Sequence, residues 1–360
     1  MKNLNKIILM ASLVCLVILG YFYFNYFYKI GDKNSVNIEK TEEVFADPFK
    51  QSLDKPMTNT QNSEKLCGDG VCDEKEKVDQ NLCPSDCKSI NKTISQSGVL
   101  KDLPYASVSS AQKLDLYLPK NVSGKIPLII YIHGGGFERG DKSPALYSNE
   151  FIQNGYAVAA INYRLSKEAK YPAANQDVKS AVRWLRANAD KYNLDIDRFG
   201  AIGGSAGGYF VSFLGTTGDS KEFDVGDNLN YSSSVQAVID MFGLVNFSTI
   251  EKDRIEIGVP DRNVENAYLG CLINSTDCAK IAIKASPVNY ISKNDAAFFI
   301  IHGEKDDQIP LKQSNEFYSL LKNVGVNVEI TRLPNAGHGG AEFNDYVDEY
   351  ITFFDKYLKK

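Results

Sequence analysis

The sequence predicts an α/β three-layer sandwich on a mainly parallel sheet, preceded by a membrane segment and a small cysteine-rich module. Three observations carry this. Over residues 93–360, apolar runs of strand length alternate with stretches of helical periodicity. That alternation gives a sheet covered by helices. Two lysines near the start, Lys2 and Lys6, precede an uncharged run of 22 residues at 7–28. Four of the seven cysteines crowd into residues 67–87.

In chain order, the run at 7–28 comes first. At about 1.5 Å per residue it is roughly 33 Å long, enough for a hydrocarbon core of about 30 Å. Tyr21, Tyr23, Tyr26 and Tyr28 cluster at its far end, where amphipathic rings favour the headgroup interface. Residues 1–30 are therefore expected to be a transmembrane anchor. The competing expectation is a cleaved signal segment, which would make the protein secreted. In both cases the remainder lies outside the cytoplasm. Residues 31–66 are polar, lack apolar periodicity and suit a disordered linker.

Residues 67–88 hold Cys67, Cys72, Cys83 and Cys87 with no core sequence around them. In an oxidising compartment such a module is held by two disulfides in place of a core. Zinc is the rival reading, with less usual spacings. Asp69, Asp73 and Glu76 offer hard oxygen atoms that would suit calcium. Cys271 and Cys278, seven apart in a polar stretch, are expected to pair. Cys15 lies within the membrane run.

The large domain is 93–360. Residues 114–118 alternate as a half-buried strand does. Residues 127–133 and 157–162 are continuously apolar, as strands covered on both faces are. Val178, Ala181, Val182 and Leu185 form one helical stripe. Strands at 199–203, 237–242, 297–302 and 327–333, with helices at 312–324 and 343–358, complete the alternation.

Composition agrees with a globular chain: 43% of its 360 residues are apolar and 24% are charged. The net charge of -5 gives no support for an electrostatic nucleic-acid binder.

The chemistry sits at the turns. Gly203-Gly204-Ser205-Ala206-Gly207 is a G-x-S-x-G pattern between an expected strand and an expected helix. A strand that turns sharply into a helix presents its serine as a nucleophile and needs glycines to make room. His133-Gly134-Gly135-Gly136 follows a buried strand. The N–H groups of Gly135, Gly136 and Ala206 are the candidates for an oxyanion hole. Only three histidines exist, His133, His302 and His338. His133 belongs to the glycine turn and His302 precedes the acidic candidates, which leaves His338 as the base for Ser205. The acid is Asp306 by its spacing in His302-Gly303-x-x-Asp306, with Asp307 and then Asp240 as alternatives.

These stretches resemble a known family. HGGGFERGDK (133–142), INYRL (161–165), YPAANQDVKSAVRWLRANA (171–189), GGSAGG (203–208), HGEKDDQIP (302–310) and NAGHGG (335–340) occur in order. Residues 114–360 resemble α/β-hydrolase esterases. They are most similar to the bacterial acetyl-xylan and feruloyl esterase-like group, close to the hormone-sensitive-lipase-like group. In the lipase-like group Gly204 would commonly be Asp, which favours the first. The resemblance implies an α/β-hydrolase fold and hydrolysis of short-chain or carbohydrate-linked esters through an acyl-serine, with no cofactor. A peptidase or amidase using the same residues, or a surface adhesion protein on an inactive hydrolase fold, are the alternatives. Residues 244–290 are expected to form a partial cap, with Phe137, Phe242 and Phe247 as candidate pocket walls.

Overall fold

Eight strands form one sheet in the order β1-β2-β4-β3-β5-β6-β7-β8. They are β1 (Gly98–Pro104), β2 (Lys113–Leu118), β3 (Ile126–Ile132), β4 (Ala157–Ile161), β5 (Leu194–Gly204), β6 (Ala237–Met241), β7 (Ala297–Gly303) and β8 (Val328–Leu333). β1 with β2, and β2 with β4, pair antiparallel; every other pair is parallel. The computed structural model describes residues 98–359 except 121, 219 and 261. The anchor, the linker and the cysteine module, with Cys67, Cys72, Cys83, Cys87, Asp69, Asp73 and Glu76, lie outside the described residues. No helix among the described residues is long and apolar enough to cross a membrane.

The continuous apolar runs become strands covered on both faces. Along β3, Leu128, Ile130 and Ile132 enter one core while Ile129 and Tyr131 enter the other. β4 divides likewise, with Ala157, Ala159 and Ile161 on one side and Val158 and Ala160 on the other. Successive side chains of a strand point to opposite faces, so a strand between two helix layers must be apolar throughout. Each fully buried Leu or Ile contributes about 1.5–3 kcal/mol of transfer energy.

The helices are α1 (Ser148–Gln153), α2 (Ala173–Ala187), α3 (Ala189–Tyr192), α4 (Ala206–Thr216), α5 (Ile250–Glu256), α6 (Val264–Leu269), α7 (Thr276–Ala285), α8 (Leu311–Asn323) and α9 (Val347–Leu358). The stripe Val178, Ala181, Val182 and Leu185 of α2 is fully buried in the same core as α4 and as Phe317 and Leu321 of α8. Phe151 of α1 and Phe353, Phe354 and Leu358 of α9 close the opposite face. The expected helix at 343–358 is α9 preceded by a 3₁₀ turn, Ala341–Tyr346. α5, α6, α7 and a 3₁₀ turn, Pro287–Tyr290, make up the insert after β6.

Candidate active site

The site begins where β5 ends. Ser205 sits between Gly204 and the first residue of α4 with φ 58° and ψ -122°, a conformation strained for a side-chain-bearing residue. Glycines make this turn sterically possible. A Cβ on Gly207 would lie 2.1 Å from the carbonyl oxygen of Ile132, and one on Gly203 would lie 2.6 Å from the Gly207 backbone. Strand β3 and helix α4 therefore touch through backbone, and the serine is forced outward at the strand end.

A hydrogen-bonded chain leads away from it. Ser205 Oγ lies 2.8 Å from His338 Nε2, and His338 Nδ1 lies 2.8 Å from Asp306 Oδ2. A carboxylate only accepts, so Nδ1 carries the proton and the Nε2 lone pair faces the serine hydroxyl. Asp306 Oδ1 accepts from the backbone N–H groups of Gln308 (2.8 Å) and Ile309 (2.9 Å). Burial alone would raise this carboxyl. The hydrogen bonds from His302 and His338, with the charge on those rings, outweigh it and hold Asp306 well below the usual carboxylate range. Asp307, the neighbouring alternative, is exposed. Asp240 is fully buried in β6, bonded to Ser212 Oγ (2.8 Å) and the Gly243 N–H (2.8 Å).

His302 has a place the sequence reading did not give it. Its Nε2 lies 2.8 Å from the carbonyl of Ile309 and 3.1 Å from Asp306 Oδ2. A carbonyl only accepts, so Nε2 bears a proton; in the neutral ring Nδ1 accepts from Ser314 Oγ at 2.7 Å. Asp306 is thus held by four donors, two of them histidine rings. The available signal was a histidine closing a wholly apolar strand, because a buried polar ring must find partners. His133 is occupied elsewhere: its ring stacks on Tyr163 at 4.4 Å and its Nδ1 meets the Gly134 carbonyl at 2.8 Å. Burial lowers its pKa.

The glycine turn after β3 abuts the serine. A Cβ on Gly134 would come within 2.7 Å of the Gly204 carbonyl oxygen. Gly135, Gly136 and Ala206 line the same cavity as Ser205 and His338, with a volume of about 520 Å³. Ala206 opens α4, where N–H groups have no partner within the helix.

The insert supplies one wall. Leu244, Arg254, Arg262, Val264 and Glu265 line the cavity. Arg254 and Glu265 form a buried bidentate pair at 2.9 and 2.6 Å. Arg254 Nε also donates to the Gln308 carbonyl at 2.8 Å, which ties the insert to the Asp306 loop. Phe137 and Phe242 reach the cavity, and the Phe242 ring packs against His338 at 4.8 Å. Phe247 does not line it; the ring is buried against Phe137, Tyr209 and Tyr268. Cys271, in the loop after α6, and Cys278, in the first turn of α7, are joined, S–S 1.95 Å.

A serine on a strained strand-to-helix turn, a histidine beside it and an acid beyond define an α/β-hydrolase. Residues 114–321 match the BD-FAE family, and the chain belongs to it. It is similar to esterase LipC of Mycobacterium tuberculosis, with 29% identity over 240 residues, 64% of this chain and 57% of that protein. The matched stretch is thus little over half the length of that relative. Carboxylesterase NlhH of the same species shares 26% over 322 residues, covering 84% of this chain and 92% of that one. Among solved structures, a truncated carbohydrate esterase from gut microbiota superimposes with a TM-score of 0.67 at 30% identity, covering 74% of this chain and 98% of that one.

Proposed function

We propose that the protein is a serine carboxylesterase, displayed outside the cytoplasm, that cleaves short-chain or carbohydrate-linked acyl esters through an acyl-enzyme on Ser205. The observation that carries this is the continuous chain from Ser205 Oγ through His338 to Asp306, 2.8 Å at each step. His338 Nε2 takes the serine proton as Oγ attacks the ester carbonyl carbon. The carbonyl oxygen becomes an oxyanion facing the N–H groups of Gly135, Gly136 and Ala206. The tetrahedral centre collapses, and the alcohol leaves with the proton from His338. Water, deprotonated by the same ring, then releases the acid. Asp306 stays ionised throughout, holds the ring's tautomer and stabilises the imidazolium.

Relatives and neighbours named as esterases support the ester class, and a carbohydrate esterase is among them. The uncharged run at 7–28 supports anchoring in the membrane, and the Cys271–Cys278 bridge suits an oxidising compartment. The test is a p-nitrophenyl ester series of increasing acyl length beside acetylated xylan and feruloyl sugars, with Ser205→Ala as control. Turnover should be lost in the variant by a factor approaching ~10⁶; near-normal turnover would overturn the reading. A second reading, cleavage of amide bonds, is favoured by a 27% identical relative named as a peptidase in Bacillus subtilis. Acyl p-nitroanilides included in the series distinguish the two.

A further inference from the structure

Among the described residues, the charges around the cavity do not cancel. Arg254 and Glu265 neutralise each other within the wall. Among the described residues, that leaves three charged side chains at the cavity, Glu138, Arg139 and Arg262. Arg139 and Arg262 are exposed, and neither guanidinium takes part in a hydrogen bond or ion pair among the described residues. Glu138 offsets one of them, so among the described residues one positive charge remains in surplus at the mouth of a site on a chain of net charge -5.

Their placement is tied to the reacting centre. Arg139 closes the glycine turn: its N–H donates to the Gly135 carbonyl at 3.2 Å, and a Cβ on Gly135 would lie 2.1 Å from the Arg139 carbonyl oxygen. Arg262 lies two residues before Val264, whose Cγ1 would be 3.6 Å from a Cβ on Gly136. Two separate segments, one from the core and one from the insert, therefore meet at the two glycines and each brings an arginine to the rim.

We propose that Arg139 and Arg262 recognise an anionic group, a carboxylate or a phosphate, on the alcohol part of the ester. The proposal deepens the esterase reading and rests on it. The alcohol part is selected because the acyl group stays bonded to Ser205 while the alcohol departs through the mouth, past the exposed side chains. Guanidinium groups suit either anion because their planar donors match its paired oxygens. An exposed arginine with no partner among the described residues has spent none of its donors on them.

Matched probes test this on the full chain. 4-Acetoxybenzoate and 4-acetoxybenzamide release phenols of similar size, one anionic and one neutral, and 4-acetoxyphenyl phosphate adds the phosphate arm. The readout is the ratio of kcat/KM for each anionic ester to that for the amide, compared between the parent and Arg139→Gln/Arg262→Gln. Intrinsic reactivity of the esters cancels in that comparison. Exposed ion pairs are individually weak, so the ratio should fall about tenfold in the double variant for at least one anionic ester. Raising sodium chloride to about 0.5 M should erode the parent's ratio and leave that of the variant, because salt screens exposed charges. Preference for the benzoate points to an acidic sugar, preference for the phosphate to a phosphate-bearing polymer, and either supports the proposal. A ratio that survives the double substitution, or that ignores salt in the parent, overturns it. A parent that hydrolyses none of the three esters removes the esterase reading itself.

Discussion

Asp306→Asn is the sharpest perturbation of the site, because both orientations of the amide fail for separate reasons. Oδ1 now accepts two backbone N–H groups, at 2.8 and 2.9 Å, and Oδ2 accepts from two rings, at 2.8 and 3.1 Å. If the amide oxygen keeps the backbone donors, the NH₂ faces His338 Nδ1 and forces it to accept. The proton then moves to Nε2, the ring donates towards Ser205, and the serine has no base. The same NH₂ meets the Nε2–H of His302, donor against donor. If the amide flips, its NH₂ confronts two backbone N–H groups, at about 1–3 kcal/mol for each buried donor left unpaired. The first orientation is expected to dominate. By the precedent of an acid-to-amide change in a serine triad, kcat should fall on the order of 10⁴, about 5.5 kcal/mol. The assay is kcat for p-nitrophenyl acetate, with circular dichroism to establish folding. Asp307→Asn, at an exposed neighbour, should cost little. A folded Asp306→Asn enzyme within tenfold of the parent would refute the assignment, and Asp240 would be tested next.

Gly207→Ala should fold poorly and lose activity, because its Cβ would press on the Ile132 carbonyl of a central strand that cannot yield; unchanged melting and turnover would contradict the steric argument. Burial pushes the Asp240 carboxyl up to about 6 from 3.8, so the folded state binds a proton the unfolded state has released. Its contribution to stability is therefore present below the unfolded value and declines as pH rises through about 6, by about 3 kcal/mol in all. Asp240→Asn should flatten the stability profile between pH 4 and 7, and denaturation curves as steep as the parent's across that range would count against it. Replacing Cys271 and Cys278 by Ser opens a short loop worth roughly 2.5 kcal/mol by closure entropy. Hydrogen exchange should accelerate over residues 264–285 and not in the central strands; an unchanged exchange pattern would show that the bridge contributes nothing.

The features legible in the sequence were those with a strong local cause. β3 and β4 announced themselves because a strand between two helix layers has no polar face to hide. The elbow was legible because sterics demand glycine on both sides of Ser205. β1 escaped notice because it is an edge strand with mostly exposed side chains and a register shift between Leu100 and Leu103, so its sequence alternates weakly. α5 and α6 are short, seven and six residues, and are held by tertiary contacts such as Arg254 with Glu265 rather than by periodicity. His302 was seen but not understood, since its partners Asp306, Ile309 and Ser314 converge on it only after β7 and α8 pack. Phe247 looked like a pocket wall by its chain position and proved to be core, because aromatic rings from the turn after β3, from α4 and from α6 surround it.

The proposed chemistry is divided among distant parts of the chain: the serine follows β5, the acid follows β7 and the histidine follows β8, with separations of 133 residues from Ser205 to His338 and 32 from Asp306 to His338. A chain arrested after β6 would display its strained serine with nothing to deprotonate it. On the proposed mechanism, catalysis switches on only when the last strand has docked and carried its loop across the sheet. Turnover is thus a coincidence signal for long-range order, silent in any intermediate however helical, and a more exacting gauge of complete assembly than secondary-structure content.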